Sequence, residues 1–222
     1  MKRAFILLAF VALPLHAQTG FNKQEFQTRR DKLFEQIPGG MAVIFSCTTS
    51  PTDDASRQSP DFWYLTGIDA PDAVLVMVEP TKKAYVFSPK KDFFEIFIGG
   101  PGLQEDTEAR DKYGVQPVDI KNFLQSVGKW AEDVKTLYLP LTPMDNRDFS
   151  RGEVASAEAK AVQHPVYGRT SDRRETVKRI MEWLPQLTVA DVNPILDKMR
   201  WVKTPYEIER MRKSGKIGAE GV

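Results

Sequence analysis

Short apolar runs suited to buried strands alternate with helix-period stretches along this chain, and that alternation limits the fold to a sheet packed against helices. From Phe26 to Ile37 the residues Phe26, Leu33, Phe34 and Ile37 fall on one helical face, and Pro38-Gly39-Gly40 stops the helix. Met41 to Ser46 reads as a buried strand. Ala73 to Val78 and Ala84 to Ser88 flank Glu79-Pro80-Thr81-Lys82-Lys83 and predict a hairpin. Glu105 to Tyr113 is helical in pattern, as is Lys121 to Ala131 with Phe123, Leu124, Val127 and Trp130. Thr136 to Leu139 is a further strand. The polar stretch from Leu141 to Ser171 predicts loops and one surface helix around Glu153 to Val162. Asp172 to Leu184 returns to a helix, with Asp172 as its N-cap. The expected class is α/β, a mixed sheet between helices, without internal repeats or low-complexity tracts.

The N-terminus follows different rules. Lys2 and Arg3 precede an apolar run from Ala4 to Leu15, and His16-Ala17-Gln18 follows, the pattern of a signal peptide over residues 1–17 cleaved after Ala17. No later stretch approaches the roughly 18 apolar residues of a permanent span. The sequence thus predicts an exported protein, periplasmic or extracellular. Loss of Lys2 and Arg3 moves the net charge from +1 to −1, which removes any electrostatic case for nucleic acid. The basic pairs Arg29-Arg30, Lys82-Lys83, Lys90-Lys91 and Arg173-Arg174 are scattered among acids and read as solvated faces. Cys47, the one cysteine, has no internal disulfide partner and reads as a small core residue.

At the other end, Thr204-Pro205-Tyr206-Glu207 carries the marks of a helix start: a hydroxyl cap, proline at the first helical position, and glutamate at the third. Ile208, Met211, Gly215 and Ala219 continue the stripe and need a surface to pack on. This predicts the opening helix of a second domain, the chain being the front part of a larger protein.

Catalytic inventory is thin. His16 leaves with the signal peptide, and His164 sits in a Gln-His-Pro loop context. There is no cysteine pair for zinc, no His-Glu-x-x-His and no Gly-x-Ser-x-Gly. Gly99-Gly100-Pro101-Gly102 reads as a turn, because Pro101 lacks the N–H an anion nest needs. The adjacent carboxylates Asp53-Asp54 and Glu105-Asp106 lack the differently tuned pairing that acid–base work requires. The residues alone describe a secreted α/β domain with no assigned role.

The run from Arg57 to Gly67, Arg-Gln-Ser-Pro-Asp-Phe-Trp-Tyr-Leu-Thr-Gly, followed by Pro71-Asp72-Ala73-Val74-Leu75, resembles the N-terminal domain of Xaa-Pro aminopeptidases, the aminopeptidase P family. By composition alone it reads as an aromatic strand ending in a glycine turn. Three other segments stand in the family's order. Thr28-Arg29-Arg30-Asp31-Lys32-Leu33 before Pro38-Gly39-Gly40 is similar to the opening helix and loop. Glu95-Ile96-Phe97-Ile98-Gly99 is similar to the Glu-Ile-Trp-x-Gly segment, and Leu196 to Ile208 to the entry into the catalytic domain.

The resemblance implies a mixed six-stranded sheet between helices over residues 18–188, and over 189–222 the truncated beginning of a pita-bread metallopeptidase domain. It also implies two divalent metal ions, manganese in most members, held by Asp, Asp, His, Glu and Glu in that order. Those ligands are expected beyond Val222, so that no catalytic, cofactor or metal residue is assigned to this chain and it is expected to be inactive alone. The parent would be a homo-oligomer that releases the residue before a penultimate proline of a peptide substrate. Phe97 stands where the family has the tryptophan that reaches a neighbouring subunit's active site, which makes it the substrate-binding candidate; packing in the core is its other reading. Two alternatives remain: a stand-alone, non-catalytic module that binds a peptide or partner, and a fragment of a prolidase or creatinase relative. The capped helix at Thr204 weighs against a stand-alone module, because it would leave Ile208 and Met211 without a domain to cover them.

Overall fold

The computed structural model of the protein describes residues 23–48, 58–143, 150–166, 168 and 170–221. The segment read as a signal peptide, and Asp53, Asp54 and Arg57, lie outside the described residues. In chain order the elements are α1 (Lys23–Gln36), β1 (Gly40–Phe45), α2 (Pro60–Thr66), β2 (Val74–Val78), β3 (Lys83–Ser88), α3 (Phe93–Gly99), α4 (Ala109–Tyr113), β4 (Gln116–Asp119), α5 (Phe123–Trp130), β5 (Thr136–Leu139), α6 (Arg151–Val162), α7 (Asp172–Trp183), β6 (Thr188–Asp191), α8 (Asn193–Trp201) and α9 (Pro205–Glu220). The six strands form one mixed sheet in the order β4-β3-β2-β1-β5-β6. β1 and β2 are antiparallel with Val43 opposite Val76, and β2 and β3 form the antiparallel hairpin that the apolar runs predicted. The pairs β1–β5, β5–β6 and β3–β4 are parallel.

Period-two alternation sorts the strands onto two layers of helices. Ala42, Ile44, Leu75, Met77 and Val86 face Leu33, Phe34 and Ile37 of α1, Phe62 and Leu65 of α2, and Leu196 of α8. Met41, Val43, Val76, Phe87, Leu137 and Leu139 face Phe123 and Val127 of α5 and Val177 and Ile180 of α7. Because β1 is covered on both faces, it reads as one continuous apolar run.

Several segments differ from the sequence expectations, among them Glu105 to Tyr113, of which only Ala109–Tyr113 is helical. The aromatic run is the helix α2 and not a strand: Ser59 caps it, Pro60 begins it, and Gly67 closes it in the left-handed region with its N–H on the Trp63 carbonyl. Gly67 is required there, since its φ is +67° and a Cβ would stand 2.2 Å from the Phe26 ring. α7 is capped by Ser171, and Asp172 is its first helical residue. Cys47 is half-buried just past β1 instead of lying in the core. β6 pairs in register with β5 from Thr188 onward, and α8 buries Leu196 in the same cluster as Leu33 of α1.

Arg29 and Arg30 overturn the reading of that pair as a solvated face. Arg30 has 0% exposure, and its guanidinium donates to the carbonyls of Leu65 (2.7 Å), Tyr113 (3.0 Å) and Gly114 (3.1 Å) and to Gln27 Oε1 (2.9 Å). A buried charge survives when its donors are satisfied, and here they bind the C-terminal ends of α2 and α4 to α1. Desolvation lowers the Arg30 pKa to about 10, which leaves it charged at neutral pH. Arg30→Met strands three carbonyls and is expected to cost about 3 kcal/mol in urea unfolding; a loss under about 1 kcal/mol would show that water replaces the guanidinium.

Glu79, in the single turn of 3₁₀ helix between β2 and β3, accepts from Lys82 Nζ at 2.5 Å and from the Gly39 N–H at 2.7 Å. These bonds, Lys82 first, hold its pKa below 4.5. A carboxyl with a depressed folded pKa stabilises above its unfolded value and loses that contribution as pH falls through the folded one. The Tm difference between wild type and Glu79→Gln is therefore expected at pH 7 and should vanish on acidification below the ordinary carboxylate range. A difference that persists there would assign the effect to packing.

Candidate functional site

α2 is held from both sides by charge. Asp61, in its first turn, is 1% exposed and accepts from Arg200 Nη1 of α8 at 2.7 Å and from Arg151 Nη2 of α6 at 3.4 Å. Arg151 also binds Asp197 of α8 at 2.6 Å. One buried carboxylate thus joins three helices that are distant in sequence. Tyr64, one turn on, donates its hydroxyl to the Met199 carbonyl at 3.2 Å, and its ring lies 4.3 Å from the Arg29 guanidinium carbon. Burial raises the Tyr64 pKa above 10, more than Arg29 lowers it.

Arg29 carries this arrangement to α9. Its Nη1 donates to the Tyr64 carbonyl at 3.0 Å, while Nη2 reaches Glu25 at 3.3 Å and Glu207 at 3.0 Å. Glu207 has two tasks: Oε2 closes the capping box with the Thr204 N–H at 2.7 Å, and Oε1 takes the ion pair. Thr204 Oγ1 adds a bond to Glu25 at 2.9 Å. The capping box was legible from Thr204 and Glu207; the partner of the second carboxylate oxygen, nearly the whole chain away, was not. Beyond this anchored first turn α9 buries none of its residues, and Ile208, Met211 and Ile217 are exposed, as are Trp201 (83%) and Val202. A groove of about 1120 Å³ opens here, bounded by Arg29, Trp63, Tyr64, Arg151, Arg200 and Trp201.

A second exposed apolar surface lies on α3. Asp92 and Glu95 form a capping box at its start, and Phe93, Phe94, Phe97 and Ile98 all point to solvent. Phe97 is 77% exposed and stacks on Phe93 with centroids 6.5 Å apart, which overturns the core-packing reading. The loop after α3 closes on its own carboxylate: Glu105 accepts from the N–H groups of Lys91 at 3.2 Å and Gly102 at 3.0 Å, and Lys91 Nζ donates to the Gly100 carbonyl. His164 is exposed in its loop and accepts the Val166 N–H on Nδ1.

Among the described residues no group of three or more His, Cys, Asp or Glu side chains is placed to hold a metal ion, so these residues do not fit a metal centre. No helix of the described residues is long and apolar enough to cross a membrane.

A mixed six-stranded sheet between helices, with an aromatic α2 clamped by arginines, defines an aminopeptidase P N-terminal domain. Residues 26–138 match the family described as aminopeptidase P, N-terminal domain, and the chain belongs to that family. It is similar to the Xaa-Pro aminopeptidase of Escherichia coli, 29% identical over 206 residues that cover 89% of this chain and 43% of that protein. The Xaa-Pro aminopeptidase of Haemophilus influenzae is 25% identical, covering 90% and 41%. The solved structure of E. coli aminopeptidase P with the inhibitor Pro-Leu superposes with a TM-score of 0.62 at 26% identity, covering 89% of this chain and 43% of that one. A zinc-substituted form of the same enzyme in complex with product matches equally, with a TM-score of 0.61 at 25% identity. The chain therefore spans less than half the length of these relatives.

Two variants test the clamp. Asp61→Asn leaves Arg151 and Arg200 without their shared buried anion and is expected to lower stability by about 3 kcal/mol; an unchanged urea midpoint would show that the clamp is ornamental. Glu207→Gln keeps the cap acceptor but weakens the pair with Arg29, so amide exchange in the first turns of α9 should quicken while the sheet amides keep their protection. Equal acceleration throughout would mean that α9 is part of the cooperative core.

Proposed function

We propose that this chain is the N-terminal portion of an exported Xaa-Pro aminopeptidase, which releases the N-terminal residue before a penultimate proline. The observation that carries this is the contrast within α9: its first turn is fixed to α1 through Arg29 and Glu207, while Ile208, Met211 and Ile217 are exposed. Such a helix suits the opening of a second domain, whose dimetal site, manganese by family resemblance, would perform the hydrolysis. The groove beside Trp63, Tyr64 and Trp201 would then border the substrate cleft. Exposed Phe97 is suited to reach a neighbouring subunit in a homo-oligomer, and the charged signal-like segment at Lys2 and Arg3 supports export to the periplasm or beyond.

Two measurements test the reading. The reading frame after the Val222 codon is expected to continue and to encode Asp, Asp, His, Glu and Glu in that order; an immediate stop would favour a non-catalytic binding module. The 222-residue chain, supplied with manganese and an Xaa-Pro peptide, is expected to release no N-terminal residue, and metal-dependent cleavage by it would overturn the assignment of chemistry to a second domain.

A further inference from the structure

Among the described residues, the clamp around Asp61 leaves Arg173 without an ion pair. Arg151, Arg173, Arg174 and Arg200 share the region with three acids, Asp61, Asp197 and Glu158. Asp61 is taken by Arg151 and Arg200, Asp197 by Arg151, and Glu158 by Arg174 at 3.1 Å. Arg173 forms no ion pair among the described residues, and its Nε is buried without a hydrogen-bond partner. Its guanidinium lies 5.9 Å from the centroid of Phe45, at the end of β1, in a weak cation–π contact. Asp61 and Glu158 act on it through space, but neither accepts a hydrogen bond from it, and burial lowers its pKa. An N–H withdrawn from water and left unmatched is costly unless something accepts from it.

Arg173 lines a crevice of about 450 Å³ at the C-terminal end of β5. The carboxyl ends of parallel strands, here β1, β5 and β6, are where open α/β sheets bind ligands. Pro140, Leu141 and Pro143 on one side and Val177, Met181 and Pro185 on the other supply its apolar wall, and Glu158, Arg174, Lys178 and Glu182 supply charged side chains to the same lining. The volume suits a small ligand. An apolar wall beside a guanidinium that forms no ion pair among the described residues is complementary to an acid on an apolar group, because the guanidinium fork takes a carboxylate through two parallel N–H bonds.

We propose that this crevice binds the terminal carboxylate of an apolar amino acid or peptide, with Arg173 holding the anion and Val177 and Met181 packing the side chain. The site is independent of the aminopeptidase reading, since all its groups are in this chain. The test is calorimetric titration of the full chain with N-acetyl-leucine, N-acetyl-leucinamide and acetate. N-acetyl-leucine is expected to bind at least tenfold more tightly than either of the others. Arg173→Gln is expected to abolish the preference for acid over amide, and Met181→Glu to abolish binding while Arg173 stays in place. Equal binding of acid and amide, acetate binding as well as N-acetyl-leucine, no binding of any probe, or an unchanged affinity in a folded Arg173→Gln variant would each overturn the proposal. Should Arg173→Gln fail to fold, Met181→Glu together with the acid-to-amide comparison on the wild type decides it.

Discussion

Two consecutive arginines on one turn of α1 hold this structure together. Arg30 is sealed beneath the helices and satisfied by the carbonyl ends of α2 and α4, which fixes those short helices to the sheet. Arg29, one residue away, is held by the Tyr64 carbonyl and ring and extends to Glu25 and Glu207. The first arginine of the pair therefore reaches outward to whatever α9 leads into, and the second reaches inward to the fold. Arg30 depends on that hydrogen bonding, since a guanidinium removed from water is tolerable only when its donors are met.

Around them, α2 is a short helix with polar attachments at each end and little core of its own beyond Phe62 and Leu65. Seven residues do not make a stable helix in isolation. Its position is set by Asp61 below, by Tyr64 above, and by Gln58, which accepts the Cys47 N–H and donates to the Ala70 carbonyl. The same helix lines the groove beside α8 and α9, so the residues that secure it also shape the surface that a second domain would meet. Arg173, by contrast, belongs to the charge cluster without being used by it. That asymmetry gives the crevice beside α7 its chemical character.

Much of this was legible in the residues, for identifiable reasons. The hairpin of β2 and β3 follows from two apolar runs about a proline turn, and β5 from four residues of alternating burial. The cap at Thr204 follows from spacing alone. α2 reads as a strand from sequence because Phe62-Trp63-Tyr64 has strand-like composition; Ser59, Pro60 and Gly67 carry the helix punctuation that decided the structure, since caps act on backbone groups that composition ignores. β4 and β6 lacked a signal because they are short edge strands with partly exposed residues, and β4 includes Pro117. The burial of Arg30 was hinted at by its place on the stripe of Phe26, Leu33 and Ile37, where helical spacing outweighs the usual exposure of arginine.

The sequence by itself determined the fold class, the order of most elements, the capped start of α9 and the family, because these depend on local periodicity, turn chemistry and a long ordered motif. Only the tertiary structure decided which charges are paired. Asp61 meets Arg151 and Arg200, and Arg29 meets Glu207, across separations that no local pattern encodes. The tertiary structure likewise placed Phe97 in solvent and, among the described residues, left Arg173 without an ion pair beside the crevice of α7. Pairing and exposure are properties of which surfaces the folded chain brings together, and a linear pattern does not contain them.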